Sequence, residues 1–310
     1  MKICIQTGDV IDTVGIDIGY EMFAKAGFEA IDWNLDHAWS NTDVRHGKFS
    51  GCIFEQPLET VIEHYSYELD IIRKNGLEIS QAHAPFPAYV KDYPESLDYA
   101  ISVYKRNIEY CDYIGCKNLV IHGISYSLDD EVNTPETIEK LNKKLYTSLI
   151  PVLQTTNVTV CLENLFTGHN GVSYQGHCSD AVKGAKFIDK LNKAAGKEAF
   201  GLCLDTGHAN LLRHDLEIMI STYGKRIKCL HIHDNNGSSD QHRAPMTGTI
   251  DWNRFCSALK SAGYEHDLSF ETFAQTNLVA KYDIDMILPW LELIYKTGES
   301  FRKKINKINK

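Results

Sequence analysis

FGLCLDTGHANLLRHDLEIMISTYGKRIKCLHIHDN, residues 200–235, is the stretch on which the fold turns. It opens on one apolar run, FGLCLDTG (200–207), and closes on another, IKCLHIHDN (227–235). Both are too short for core helices and apolar at successive positions, as a strand buried on both faces would be. Residues 213–224 between them carry a helical pattern. Strand, helix and strand in that order make a β-α-β unit with parallel strands.

The alternation continues in both directions. Upstream strand candidates are KICIQTG (2–8), AIDWNLD (30–36), ISQAHAPF (79–86), NLVIHG (118–123) and TVCLENL (159–165); DLSFETF (267–273) follows downstream. Helical patterns fill the intervals at 16–28, 57–76, 96–115, 134–154, 178–195, 251–262 and 279–297. Pro57 and Pro135 stand near helix starts, and Gly27, Gly76 and Gly115 at stops, where those residues belong. Eight strands alternating with eight helices predict an α/β fold, a single (β/α)8 TIM barrel forming one domain over residues 1–310. An open doubly wound sheet fits less well, because QTGDVIDTVG after the first strand is no G-x-G-x-x-G phosphate fingerprint.

Composition narrows the partners. With 41 acidic and 32 basic residues the formal net charge is −9, which disfavours nucleic acid unless basic side chains cluster. Nine scattered cysteines without a C-x-x-C pair indicate a reducing compartment, and Cys161, Cys203 and Cys229 read as small buried hydrophobes. MKICIQTGDV is no signal peptide, and no run approaches the ~20 apolar residues that span a bilayer. A cytoplasmic protein without membrane attachment is expected. The basic tail FRKKINKINK (301–310) reads as a solvated helix end.

In such barrels the chemistry sits at the C-terminal strand ends. Successive candidate strands end in His83, His122, Glu163 with Asn164, Asp205 followed by His208, His231 with His233, and Glu271. The loop after the seventh adds Asp234, Asp240 and His242, then Asp251 as a cap for the next helix. Taken singly, each has an ordinary explanation as a hydrogen-bonded core histidine or a turn former. Taken together, buried carboxylates converging on one mouth would repel without a cation, and a divalent metal is the simplest one. His231 and His233 share a strand face; the deeper His231 is the better ligand, leaving His233 and Asp234 to support it or touch substrate. Glu163, Asp205, His231 and Glu271 then form a set of three carboxylates and one imidazole, suited to Mn²⁺, Zn²⁺, Mg²⁺ or Co²⁺.

At these residues the chain resembles the xylose-isomerase-like barrels, which include sugar and sugar-phosphate isomerases and epimerases and the metal-dependent endonucleases that cut at abasic sites. The matching pieces are AHAPF (82–86), VIHG (120–123), CLEN (161–164), CLDTGHAN (203–210), LHIHDN (230–235), Asp240 and His242, GTIDW (248–252) and SFET (269–272). The resemblance implies a metal on Glu163, Asp205, His231 and Glu271, with Glu163 and Glu271 as an acid–base pair on opposite sides of a sugar or polyol. One removes a proton beside the carbonyl to give an enediolate. Return to the opposite face gives epimerisation; return to the neighbouring carbon gives isomerisation. His83, His122, His208, His233, Asp240, His242 and Arg243 are the expected substrate contacts, and a homo-oligomer is implied.

Other readings use the same barrel. The endonuclease branch holds three zinc ions, and candidates for all nine ligands are present: His83, His122, Glu163, Asp205, His208, His231, Asp240, His242 and Glu271. Against it, the loops carry few cations for phosphate contacts (Arg45, Lys48, Lys91 and Arg243), and HAPFPAYVKDYPES departs from the Asn-containing endonuclease loop. A dehydratase of a keto-polyol and a non-catalytic sugar-binding barrel are further alternatives. Trp33, Trp39, Phe49 and Phe54 either wall a sugar site or pack the second loop down.

Overall fold

The computed structural model describes residues 1–125 and 134–306. Its strands in chain order are β1 (Ile3–Gln6), β2 (Ala30–Asn34), β3 (Glu78–His83), β4 (Asn118–Ile121), β5 (Thr159–Glu163), β6 (Phe166–His169), β7 (Val172–Gln175), β8 (Phe200–Asp205), β9 (Ile227–His231) and β10 (Leu268–Phe270). All eight expected strands are present, hydrogen-bonded in the order β10-β1-β2-β3-β4-β5-β8-β9 with helices between them. This is the (β/α)8 architecture. Burial explains the continuous apolar runs: all six residues of β8 are buried. The antiparallel hairpin of β6 and β7 is an addition, with mostly exposed or half-buried residues.

The chain divides into two compact units. The first comprises Met1–Trp33, Glu68–Ser80 and Cys203–Lys310. Here β1 pairs in parallel with β2 and with β10, placing Ile5 beside Ile31 and Phe270. The helix Ile287–Asn306 packs closely against these strands, because a Cβ on Gly298 would come within 2.6 Å of Ile3 and 2.9 Å of Phe270. Phe301 is buried and stacks on Trp252, with ring centroids 5.3 Å apart. The tail is therefore a docked amphipathic helix through Asn306 rather than a solvated end; residues 307–310 lie outside the described residues. The helix expected at 279–297 is instead Phe273–Tyr282 followed by Ile287–Asn306, broken where Asp283 is extended and caps the short turn after it.

The second unit comprises Asn34–Tyr67 and Gln81–Leu202. It contains β4 paired with the end of β3 and with β5. The helix Ser96–Ile114 buries Tyr104 and Tyr110 and stops at the left-handed Gly115. The helix expected at 134–154 starts on Thr134 and Pro135 but divides into Pro135–Thr147 and Ile150–Gln154. Pro151 has no N–H to donate to the Thr147 carbonyl, so the first helix ends there. All nine cysteines are free and buried. Among the described residues no helix is long and apolar enough to cross a membrane.

Candidate active site

In the first unit, Asp205 ends β8 and caps the helix Thr206–Leu211, its Oδ1 accepting from the His208 N–H at 2.6 Å. Its Oδ2 faces two imidazoles, 2.9 Å from His233 Nε2 and 3.9 Å from His231 Nδ1. His231 ends β9 and is 1 % exposed. Its Nδ1 also lies 3.4 Å from Glu271 Oε2, and its Nε2 is 3.2 Å from Asp32 Oδ2. Asp32, on β2, in turn accepts from the Ser269 hydroxyl at 3.3 Å.

One imidazole nitrogen thus meets an orienting carboxylate while the other faces Glu271 and Asp205. Donors about 2.1 Å from a single ion are roughly 3.0–3.5 Å apart, close to these edges. The donor set is a borderline nitrogen with hard oxygens, and Asp32, 3.2 Å from His231 Nε2, stands where an outer carboxylate would orient the imidazole if it held an ion. The residues fit a divalent ion. Sequence reading passes over Asp32. The signal for it is a carboxylate between the buried Ile31 and Trp33 in AIDWNLD.

A second cluster lies in the same unit. Ligand atoms of His208, His233, Asp240 and His242 all fall within 4.8 Å of one another. His242 donates from Nε2 to Asp240 at 3.0 Å and from Nδ1 toward the Glu271 carbonyl at 3.3 Å. Burial opposes its charge, yet Glu271 and the bonded Asp240 raise its pKa to about 8. For Asp240, burial works upward, but the His208 and His242 contacts hold the carboxyl well below its usual range. The His242 ring lies between His233 and Phe273, 4.0 Å from each. His233 is wholly buried, and its approach needs Gly207, where a Cβ would meet His233 Cε1 at 1.9 Å.

Asp234 fixes the loop that carries Asp240 and His242. Its Oδ1 accepts from the N–H groups of Asn235, Thr249 and Ile250 at 2.9, 3.0 and 3.3 Å. Its Oδ2 accepts from Met246 and Gly248 at 3.1 and 3.0 Å and from the Trp252 indole at 2.9 Å. The expected cap Asp251 accepts from Asn253 and Arg254 at 3.0 and 3.1 Å. Arg243 pairs with Asp234 through the backbone and turns its guanidinium onto Thr247 O, 3.2 Å away.

The second unit brings together His83, His122 and Glu163. His83 Nδ1 donates to Ala84 O at 2.9 Å, which leaves Nε2 with a lone pair. That Nε2 lies 3.0 Å from His122 Nε2 and 3.8 Å from Glu163 Oε2, and His122 Nε2 is 3.0 Å from the same carboxylate oxygen. The aromatic residues are packed down. Trp33 donates to Glu68 at 3.0 Å in the first unit; in the second, Trp39 stacks on Tyr99, Phe49 meets Tyr93 and Tyr99, and Phe54 meets Tyr65 and Tyr110.

Comparison with known proteins shows the family and the fold. A family model described as xylose isomerase-like TIM barrel matches residues 20–292. An inosose isomerase of Bacillus velezensis is 26 % identical over 56 % of this chain and 59 % of its own length. An L-ribulose 3-epimerase of Mesorhizobium japonicum is 34 % identical over 30 % of this chain and 29 % of its own. The fold matches the crystal structure of the IolI protein with a bound zinc atom at a TM-score of 0.65, with 19 % identity over 98 % of both chains.

Proposed function

The chain belongs to the xylose isomerase-like TIM barrel family, and on that footing we propose that it is a metal-dependent isomerase or epimerase of a sugar or polyol. The observation that carries the reading is His231, held at Nε2 by Asp32 and turned at Nδ1 toward Glu271 and Asp205. Glu163, Asp205, His231 and Glu271 would hold one Mn²⁺ or Zn²⁺ ion, and Mg²⁺ or Co²⁺ also suits the oxygen-rich set. Such an ion supplies Lewis-acid polarisation of a carbonyl and lowers the pKa of nearby carboxyls.

The rest falls to the protein. Glu163 takes the proton from the carbon beside the carbonyl; for epimerisation Glu271 delivers a proton of its own to the opposite face and the pair is reset by exchange with solvent, and for isomerisation a proton goes back to the adjacent carbon. His83 and His122, whose Nε2 atoms lie 3.0 Å apart beside Glu163, contact a substrate hydroxyl. His208, with Asp240 and His242, orients other hydroxyls, and His233 keeps Asp205 in place. The relatives' activities on an inosose and on L-ribulose support a polyol or sugar substrate. A cytoplasmic homo-oligomer completes the reading, with light scattering as its check.

The test is exchange of carbon-bound hydrogen with D₂O across a ketose panel. Glu163→Gln should slow exchange by about 10²–10⁴-fold, the usual contribution of a positioned base. A variant within twofold of wild type sinks the mechanism.

One observation favours a second reading. His83, His122 and Glu163 form one group with ligand atoms within 4.8 Å, and His208, Asp240 and His242 belong to another. With Asp205, His231 and Glu271 they complete the nine positions of a three-zinc abasic-site endonuclease. Elemental analysis separates the two: one metal per chain supports the isomerase, three zincs the nuclease.

A further inference from the structure

In the second unit His122 directly follows β4, and the main chain on both sides of it is held by one face of the helix Pro135–Thr147. Just before it, the Ile121 carbonyl accepts from Tyr146 Oη at 3.0 Å. Just beyond it, Asn142 takes both backbone groups of Ile124: its Oδ1 accepts from the N–H at 2.8 Å, and its Nδ2 donates to the carbonyl at 2.7 Å. Asn142 and Tyr146 stand one turn apart and project from the same side of the helix. Asn142 is 1 % exposed and Tyr146 is fully buried. Burial pushes the Tyr146 pKa well above its usual value, which keeps the hydroxyl a donor. Asn142 is itself held, since its Nδ2 also reaches Ile138 O at 3.0 Å.

Gly123 allows the close approach: a Cβ there would overlap the His177 ring and lie 2.9 Å from Asn142 Oδ1. The His177 ring stacks on Tyr146, with centroids 5.7 Å apart and planes at 17°. Its backbone carries the restraint to the next strand. The His177 N–H donates to Ser125 Oγ at 3.3 Å, and its carbonyl accepts at 2.8 Å from the N–H of Leu165, two residues beyond Glu163. From the other direction, Phe86 lies tilted on the His122 ring at 4.8 Å. A helix that only covers a strand needs apolar contacts. Burying an amide and a phenol costs free energy unless each finds partners, and here those partners are the backbone groups that flank one imidazole.

We propose that Asn142 and Tyr146 are positioning residues for the reaction: they fix the main chain around His122 so that its Nε2 stays 3.0 Å from the Glu163 carboxylate. The inference rests on the isomerase or epimerase reading, in which Glu163 is the base and His122 contacts a substrate hydroxyl. Asn142 and Tyr146 act through His122 and not on the substrate.

Two double-mutant cycles on the full-length holoprotein test it, read as exchange of carbon-bound hydrogen in D₂O. Tyr146→Phe removes one hydroxyl and keeps the stacked ring; Asn142→Leu removes the amide. Each should lower kcat/KM by about tenfold, the scale of one lost hydrogen bond and a mis-set side chain. In a His122→Gln background neither should lower it further, because the group they position is gone. Losses that multiply instead, or Tyr146→Phe within twofold of wild type, overturn the proposal. If Asn142→Leu does not fold, the milder Tyr146→Phe cycle decides alone. A second readout is independent of activity: in histidine-labelled protein the His122 imidazole signals, assigned with His122→Gln, should shift or broaden in Tyr146→Phe while those of His242 stay in place. Unchanged His122 signals overturn the positioning role. Shifted signals in a protein that exchanges no ketose would leave the clamp standing and overturn the isomerase reading.

Discussion

Replacing Asp234 by Asn tests how the loop bearing Asp240 and His242 is held. The carboxylate is fully buried and accepts from three donors on each oxygen: Asn235, Thr249 and Ile250 on Oδ1, and Met246, Gly248 and Trp252 on Oδ2. An amide keeps one oxygen. With the NH₂ on the Oδ2 side the donors of Met246, Gly248 and Trp252 lose their acceptor; on the Oδ1 side those of Asn235 and Ile250 do, while Thr249 keeps the Asn235 carbonyl at 3.0 Å. Each orphaned buried donor costs about 1–3 kcal/mol. Residues 246–249 are exposed, so water recovers part of the loss, and the lower end, about 2–4 kcal/mol, is expected. Hydrogen exchange read by mass spectrometry across 244–252 measures this directly. At 3 kcal/mol, protection of the Met246 to Ile250 amides should fall by roughly 10²-fold, with β1 and β2 little changed. A fall under about fivefold would refute the view that this carboxylate clasps the loop. Loss of protection throughout the first unit would show instead that the clasp supports the whole unit.

Two further outcomes follow from side chains already placed. Asp32→Asn removes the charge that orients His231 and should weaken metal affinity by about 10–100-fold in chelator competition; unchanged affinity would remove Asp32 from the centre. His177, half-buried with its ring against Tyr146 and Phe187, has its pKa lowered to about 4 by the loss of water around it. The unfolded chain therefore takes up a proton below its ordinary pKa of about 6.5 while the folded one does not. Stability should be intact above that value and decline as pH falls toward 4. Because the ring borders an open pocket, the loss should be about 1–3 kcal/mol, and a denaturation series with His177→Phe should be flatter over that range.

The barrel was legible because strands buried on both faces leave apolar runs that turn polar only where they end. Every expected strand falls on such a run, β3 starting one residue early at the exposed Glu78, and the ends of three carry Glu163, Asp205 and His231. What was missed had weaker or competing signals. FTGHNGVSYQ (166–175) is too polar to read as paired strands, yet Asn170 and Gly171, at φ 50° and 75°, are the two left-handed residues of a tight hairpin turn, and Asn-Gly is its signature. Pro151 offered a helix break that the apolar periodicity around it concealed. In FRKKINKINK the lysines mask Phe301 and Ile305, which the docked helix buries. Asp32 was hidden by the strand containing it, since strand patterns are read through their apolar residues.

The pairing of β1 with β10 has a consequence for synthesis. The Lys2 N–H donates to Asp267, 265 positions along the chain, and Ile3 lies beside Leu268. On the ribosome the first strand therefore waits, one edge unpaired, until almost everything else has emerged. The strand that covers it also brings Glu271. A nascent chain thus lacks Glu271 beside His231 until that seam closes, and any ion held there would have to bind after β10 has paired.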